Sequence, residues 1–210
     1  MTYLIIDLEA TCCDRRSIPR RETEIIEFGA VAVERSLPFE ALGEFQSFVR
    51  PVRHPLLTPF CTRLTTITQS DVDAAPGFVE VAAALKRWVF SFPEPVFCSW
   101  GDYDRRQLRQ DCDRHGVPYF MPRHHVNIKK RFAAEQLLPR PLGMAGALRR
   151  AGLPLEGTHH RGIDDVRNMR RLMPFIFGDL RLSSGSASRS PATASTLRHD
   201  ENPISEIKRS

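Results

Sequence analysis

An α/β fold, with a mixed central sheet flanked by helices, is the architecture this chain predicts, and three observations carry it. Ile25, Ile26, Phe28, Ala30, Val31, Ala32 and Val33 leave almost no polar alternation, as in a strand covered on both faces. Three strand patterns precede the first long helical one. From there on, apolar residues recur mostly at helical spacing, interrupted by a single further strand.

The first strands span Tyr3 to Glu9, Glu24 to Glu34 and Phe45 to Arg50, with a charged loop from Asp14 to Glu22 between the first two. Helices follow at Gly77 to Phe92, Asp104 to His115, Asn127 to Glu135, Leu142 to Ala151 and Ile163 to Phe177, and Pro95 to Ser99 reads as a short strand. From Ser183 the composition turns to Ser, Ala, Thr and scattered charge, which bury too little surface to offset the entropy of ordering. One domain is therefore expected over residues 1–182, without internal repeats, and a disordered tail over 183–210.

The 210 residues, 41% of them hydrophobic, suit a single core. Thirty Lys and Arg against 25 Asp and Glu give a net charge of +5, a lean toward an acidic partner such as nucleic acid. The five cysteines are an odd number with no CxxC pair, and Met1-Thr2-Tyr3 opens no cleavable signal. These features argue against a disulfide-stapled secreted domain and predict a cytoplasmic setting. The apolar runs are far shorter than the roughly 18 to 20 residues that cross a bilayer.

Several acids occupy positions where apolar residues are expected. Strand periodicity puts Leu4, Ile6 and Leu8 on one face of the first strand and Ile5, Asp7 and Glu9 on the other. Burying two like charges side by side is costly, so either the strand ends in solvent or a cation neutralises them. Asp104, in Trp100-Gly101-Asp102-Tyr103-Asp104, lies above Leu108 and Cys112 on an inward helical stripe, while Asp102 reads as the helix cap. His159-His160-Arg161-Gly162-Ile163-Asp164-Asp165 marks a loop-to-helix junction and leaves two equal registers, His159 with Asp164 and His160 with Asp165. Four acids and a histidine in three separated segments suit paired Mg2+ or Mn2+ and phosphoryl-ester hydrolysis, because hard cations take oxygen ligands. Zinc fits less well: His124-His125 and His159-His160 are neighbours that point apart, and no Cys lies at finger or protease spacing.

In order, Ile6-Asp7-Leu8-Glu9-Ala10-Thr11-Cys12, Gly101-Asp102-Tyr103-Asp104 and His160-Arg161-Gly162-Ile163-Asp164-Asp165 resemble the DEDDh 3'-to-5' exonucleases, most closely their ERI-1/KapD-like exoribonuclease branch. Supporting matches run through Glu24 to Val31, Phe60-Cys61, Leu64 to Gln69 and Asn127 to Lys129, so the resemblance covers about Tyr3 to Met173. It implies an RNase H-like fold in which Asp7, Glu9, Asp104 and Asp165 hold two Mg2+ ions, with Mn2+ able to substitute, and His160 is the general base. It also selects the register, pairing His160 with Asp165 and leaving Asp164 as a cap. Phe60 and Tyr103 correspond to positions where similar enzymes wedge or stack the terminal base, a contact every base can make. Arg15, Arg16, Arg20 and Arg21 either track the phosphate backbone or form a solvated basic loop.

The implied activity is hydrolysis of single-stranded RNA 3' ends or overhangs to nucleoside 5'-monophosphates. Two readings compete with it: a DNA-directed or dual exonuclease of the same fold, and a non-catalytic regulator that binds nucleic acid or protein. The complete acid set argues against the regulator, because clustered carboxylates destabilise a fold that no longer uses them. Thr66 departs from the pattern, standing where relatives commonly have Gly in Leu-Thr-Gly-Ile-Thr. Because the chain begins at its first strand, no separate RNA-docking module is expected in it. Cys12 and Cys13, beside the first acids, read as packing residues more readily than as a redox switch.

Overall fold

Strands β1 (Thr2–Ala10) and β2 (Ile25–Val33) are buried along their whole length, as their apolar, β-branched sequences require. They pair antiparallel, with Tyr3 opposite Val33, Asp7 opposite Gly29 and Glu9 opposite Glu27. The computed structural model describes residues 1–14 and 17–183; Arg15, Arg16 and the tail read at 183–210 lie outside the described residues, Ser183 excepted. β3 (Ala41–Phe48) adds antiparallel to β2, while β4 (Pro95–Ser99) and β5 (His125–Asn127) run parallel beyond β1, giving the order β3-β2-β1-β4-β5. The mixed pairing matches the expected class. β3 starts earlier than read, at Ala41, and stops at Phe48: it is an edge strand whose Leu42, Glu44 and Gln46 face solvent, so its first residues lack a buried signal.

Two layers of helix cover the sheet. On one face Leu4, Ile6 and Leu8 pack against α3 (Phe78–Val89), through Phe78, Val81 and Leu85, and against α4 (Tyr103–Arg114), through Leu108 and Cys112. On the other, Tyr3, Ile5, Val31 and Val33 meet Ile163, Val166 and Met169 of α7 (Gly162–Arg171). Each large side chain so buried contributes about 1.5 to 3 kcal/mol relative to exposure. The face assignment read from strand periodicity holds.

Several smaller elements escaped the sequence pattern, among them β5, whose three residues are too few to show strand alternation. α1 (Pro59–Thr65) and α2 (Gln69–Asp73) are too short to show a helical repeat; each is started by a threonine, Thr58 accepting from the Cys61 amide and Thr68 forming a capping box with Asp71. The helix read as continuous from Ile163 to Phe177 breaks at Leu172. Pro174, which has no amide to donate, stands at the start of a separate α8 (Met173–Phe177). α5 (Ile128–Glu135) and α6 (Met144–Arg150) lie close to their expected positions, with Asn127 capping α5. No helix among the described residues is long and apolar enough to cross a membrane.

Thr66 ends α1 in the left-handed region, with φ 60° and its amide bonded to the Thr62 carbonyl. A branched residue there costs about 1 to 2 kcal/mol, of which glycine would return about half after its extra unfolded-state entropy. Thr66 is exposed, so no packing would be lost. Thr66→Gly is expected to raise the Tm by about 2 °C. A calorimetric scan showing an unchanged or lower Tm would count against this.

Candidate active site

The parallel pairing of β1 and β4 stops at Ile5 and Cys98. β4 ends at Ser99, and the chain turns through Gly101, at φ 126°, into α4. β1 therefore runs on past its neighbour and leaves the Leu8 amide on an open edge. Asp104, in the first turn of α4, accepts that amide through Oδ1 at 3.3 Å. The ends of parallel strands beside a reversal of strand order form the usual ligand crevice of an open α/β sheet.

α7 closes the crevice from the other face. Gly29, opposite Asp7, lies so near Gly162 that a Cβ on Gly29 would stand 2.0 Å from the Gly162 carbonyl carbon. This close approach brings Asp165, one turn into α7, to Asp7 and Glu9: carboxylate oxygens of the three lie within 4.8 Å of one another. Asp7, Glu9, Asp104 and Asp165 are only 1%, 2%, 1% and 2% exposed, so the strand does not end in solvent. A buried all-oxygen set of this kind fits a hard divalent cation, which would offset charges that otherwise repel in a poorly solvated place.

Asp165 is also a hub for both histidines. The His159 Nδ1 lies 3.0 and 3.1 Å from its two oxygens, and the His160 amide donates to Oδ2 at 3.2 Å. The two rings stack with centroids 4.0 Å apart. His160 is buried and takes φ 65°, a conformation uncommon for a residue with a side chain. Asp164 points elsewhere, accepting the Thr158 amide at 2.9 Å and pairing with Arg167. It fastens the preceding turn and does not cap α7, whose N-cap residue is Arg161. The contact of His159 with Asp165 had no counterpart in spacing, because adjacent residues in a loop have no fixed relative direction.

Asp102 stands at the N-cap of α4 but makes no side-chain cap bond. Its carboxylate instead accepts Asn127 Nδ2 at 3.0 Å and Lys130 Nζ at 3.4 Å, tying α4 to α5. Burial pushes the Asp102 carboxyl up, and Lys130, Asn127 and Arg105 together hold it below the usual range. α1 is docked on the residues after Glu9 by Thr58 Oγ1, which donates to the Cys12 carbonyl at 2.7 Å, and Phe60 is half-buried there. Tyr103, also half-buried, opens α4 beside Asp104. Cys12 packs in the same cluster, where the neighbouring Cys61 and burial push its thiol up, keeping it protonated. Arg20 and Arg21 lie in a 3₁₀ turn at Arg20–Glu22, with Arg21 3.7 Å from Glu22.

The Exonuclease family (RNase T) matches residues 4–173. ERI1 exoribonuclease 3 of Homo sapiens is 32% identical over 182 residues, which cover 81% of this chain and 52% of that protein. The 3'-5' exonuclease Snipper of Drosophila melanogaster is 30% identical, over 90% of this chain and 74% of its own. The nuclease domain of 3'hExo, a DEDDh family member bound to rAMP, has a TM-score of 0.77 at 29% identity, over 85% of this chain and 92% of that one. The chain thus spans about half the length of ERI1 exoribonuclease 3. The match along the domain, together with a mixed sheet of the RNase H-like type, leads to one conclusion: the chain belongs to the Exonuclease (RNase T) family, in its ERI1-like DEDDh branch.

Proposed function

We propose that this chain is a metal-dependent 3'-to-5' exoribonuclease that shortens single-stranded RNA ends or overhangs, releasing nucleoside 5'-monophosphates. The observation that carries the reading is the meeting of Asp7, Glu9 and Asp165, buried and within 4.8 Å, at the end of β1. In this reading they and Asp104 hold two Mg2+ ions, with Mn2+ able to substitute. When bound, the cations supply Lewis-acid stabilisation of charge developing on phosphodiester oxygens. His160 acts as general base on the attacking water, a task suited to an imidazole, whose ordinary pKa is close to neutral. Phe60 and Tyr103 stack the terminal base and so hold the scissile bond in register without selecting sequence. RNA is favoured by the relatives named exoribonucleases and by the rAMP bound to the similar nuclease domain. Five free thiols support a cytoplasmic setting, and residues 1–182 form the proposed catalytic unit.

The test is a degradation ladder on matched RNA and DNA oligonucleotides labelled at either end. With Mg2+, 5'-labelled RNA is expected to shorten one nucleotide at a time, 3'-labelled RNA to release its label at once, and EDTA to stop both. Release of the 5' label first would overturn the polarity. An equal or higher kcat/KM on DNA would move the reading to the DNA-directed or dual enzyme, and binding without cleavage would establish the non-catalytic regulator.

The histidine assignment has its own test. His160→Ala is expected to slow hydrolysis by about 100-fold or more, the usual scale for losing a general base. His159→Ala should cost about 10-fold or less, because it removes one of several bonds to Asp165. Reversed effects in rates at pH 8 would assign the base to His159.

A further inference from the structure

We infer that Glu27 is a positioning residue that clamps the entry of α7 and thereby sets His160 and Asp165 against Asp7 and Glu9. The inference rests on the proposed function for its catalytic consequence, and on geometry alone for the clamp. Glu27 interrupts an otherwise apolar strand, faces the same side as Gly29 and is fully buried. A carboxylate in such a place is tolerated only with strong partners. Two of its partners belong to the entry of α7. The Gly162 amide donates to Oε2 at 3.0 Å, and the Arg161 guanidinium reaches both oxygens at 3.3 and 3.4 Å while lying over the Phe48 ring. Gln46 supplies the third from the neighbouring strand, at 2.7 Å.

The position of this clamp gives it leverage. α7 has no side-chain cap of its own, so Glu27, reaching across from β2, satisfies one of its unpaired first-turn amides and offsets the positive end of the helix. Arg161 follows His160 directly, and its carbonyl accepts the Asp165 amide at 2.9 Å. A shift at Arg161–Gly162 is therefore passed at once to the histidine and the aspartate. His160 keeps its left-handed backbone because Asp165 holds its amide on one side and Glu27 holds the next residue on the other. A displacement of about 1 Å in a catalytic group commonly costs about 100-fold in rate.

The experiment compares wild type, Glu27→Ala, Glu27→Gln and Gln46→Ala, reading kcat and KM on an RNA oligonucleotide and Mn2+ affinity by titration calorimetry. Circular dichroism fixes a temperature at which each variant is folded. Glu27→Ala is expected to lower kcat by about 100-fold and weaken Mn2+ binding by about 10-fold, with KM changed by less than about 3-fold. Glu27→Gln keeps an acceptor for Gly162 but not the charge facing Arg161, and should recover most of both losses. It also stands in if the alanine variant does not fold, still showing a kcat loss of about 3- to 10-fold. Gln46→Ala, which touches the same carboxylate away from α7, should leave both readouts within about 2-fold. Glutamine or alanine variants with wild-type kcat and Mn2+ affinity would overturn the clamp. Mn2+ affinity that falls in the Glu27 variants of a protein with no trimming activity would support the clamp and overturn only the proposed function.

Discussion

Replacing Asp7, Glu9, Asp104 or Asp165 by its amide is expected to lower trimming by at least about 1,000-fold while the protein stays folded. In the proposed site the four act as a unit, so double variants should be scarcely worse than single ones. Asp7→Asn and Glu9→Gln carry a second expectation that separates a metal site from a structural one. Each removes a like charge from a buried cluster, a change worth on the order of 2 kcal/mol. The Tm in EDTA should then rise by about 4 to 8 °C even as activity disappears. Mg2+ should raise the Tm of the wild type and not of these variants, since a ligand stabilises only the state that binds it. Near wild-type turnover in any of the four would remove that residue from the site. An unchanged Tm in EDTA would show that the charges are not in conflict.

Gly29→Ala is expected to have the largest combined effect on stability and rate of any change outside the acids. The added methyl would lie 2.0, 2.3 and 2.4 Å from the Gly162 carbon, the Ile163 nitrogen and the Gly162 oxygen, all backbone atoms with no rotamer to escape into. α7 would have to retreat by more than about 1 Å, at a cost of about 3 kcal/mol, or about 6 to 12 °C in Tm. Because Asp165 rides on α7, kcat should fall by about 100-fold. Gly162→Ala meets its nearest atoms at 3.0 and 3.2 Å and should be milder on both measures. Thermal scans and single-turnover rates on the pair test this order, and a Gly29→Ala protein with wild-type Tm would contradict the close approach.

Much of this was legible in the residues. Leu4, Ile6 and Leu8 against Ile5, Asp7 and Glu9 divided the faces of β1, and the structure puts the first set on α3 and α4 and Ile5 on the α7 side. Asp104 was out of place on an apolar stripe because it serves the Leu8 amide, a partner 96 residues away that no local pattern contains. The Asp164 and Asp165 doublet could not be resolved by spacing, since the choice is made by which one turns inward, and the structure buries Asp165. Glu27 carried the same signal as Asp7, a charge in a strand covered on both faces, yet its partners Arg161 and Gly162 come from the far end of the chain. The break at Leu172 was written in Pro174, but the apolar stripe through Met173 and Ile176 continues the helical period across it.

The most direct measurement is a crystal structure of the protein grown with Mn2+ and AMP, a nucleoside 5'-monophosphate, with manganese located by its anomalous scattering. The expected result is manganese against the carboxylates of Asp7, Glu9 and Asp165, with the AMP phosphate beside it and the base between Phe60 and Tyr103. Manganese bound elsewhere on the chain, with these three carboxylates bare and the nucleotide outside the crevice, would contradict the assignment of this cluster as the catalytic site.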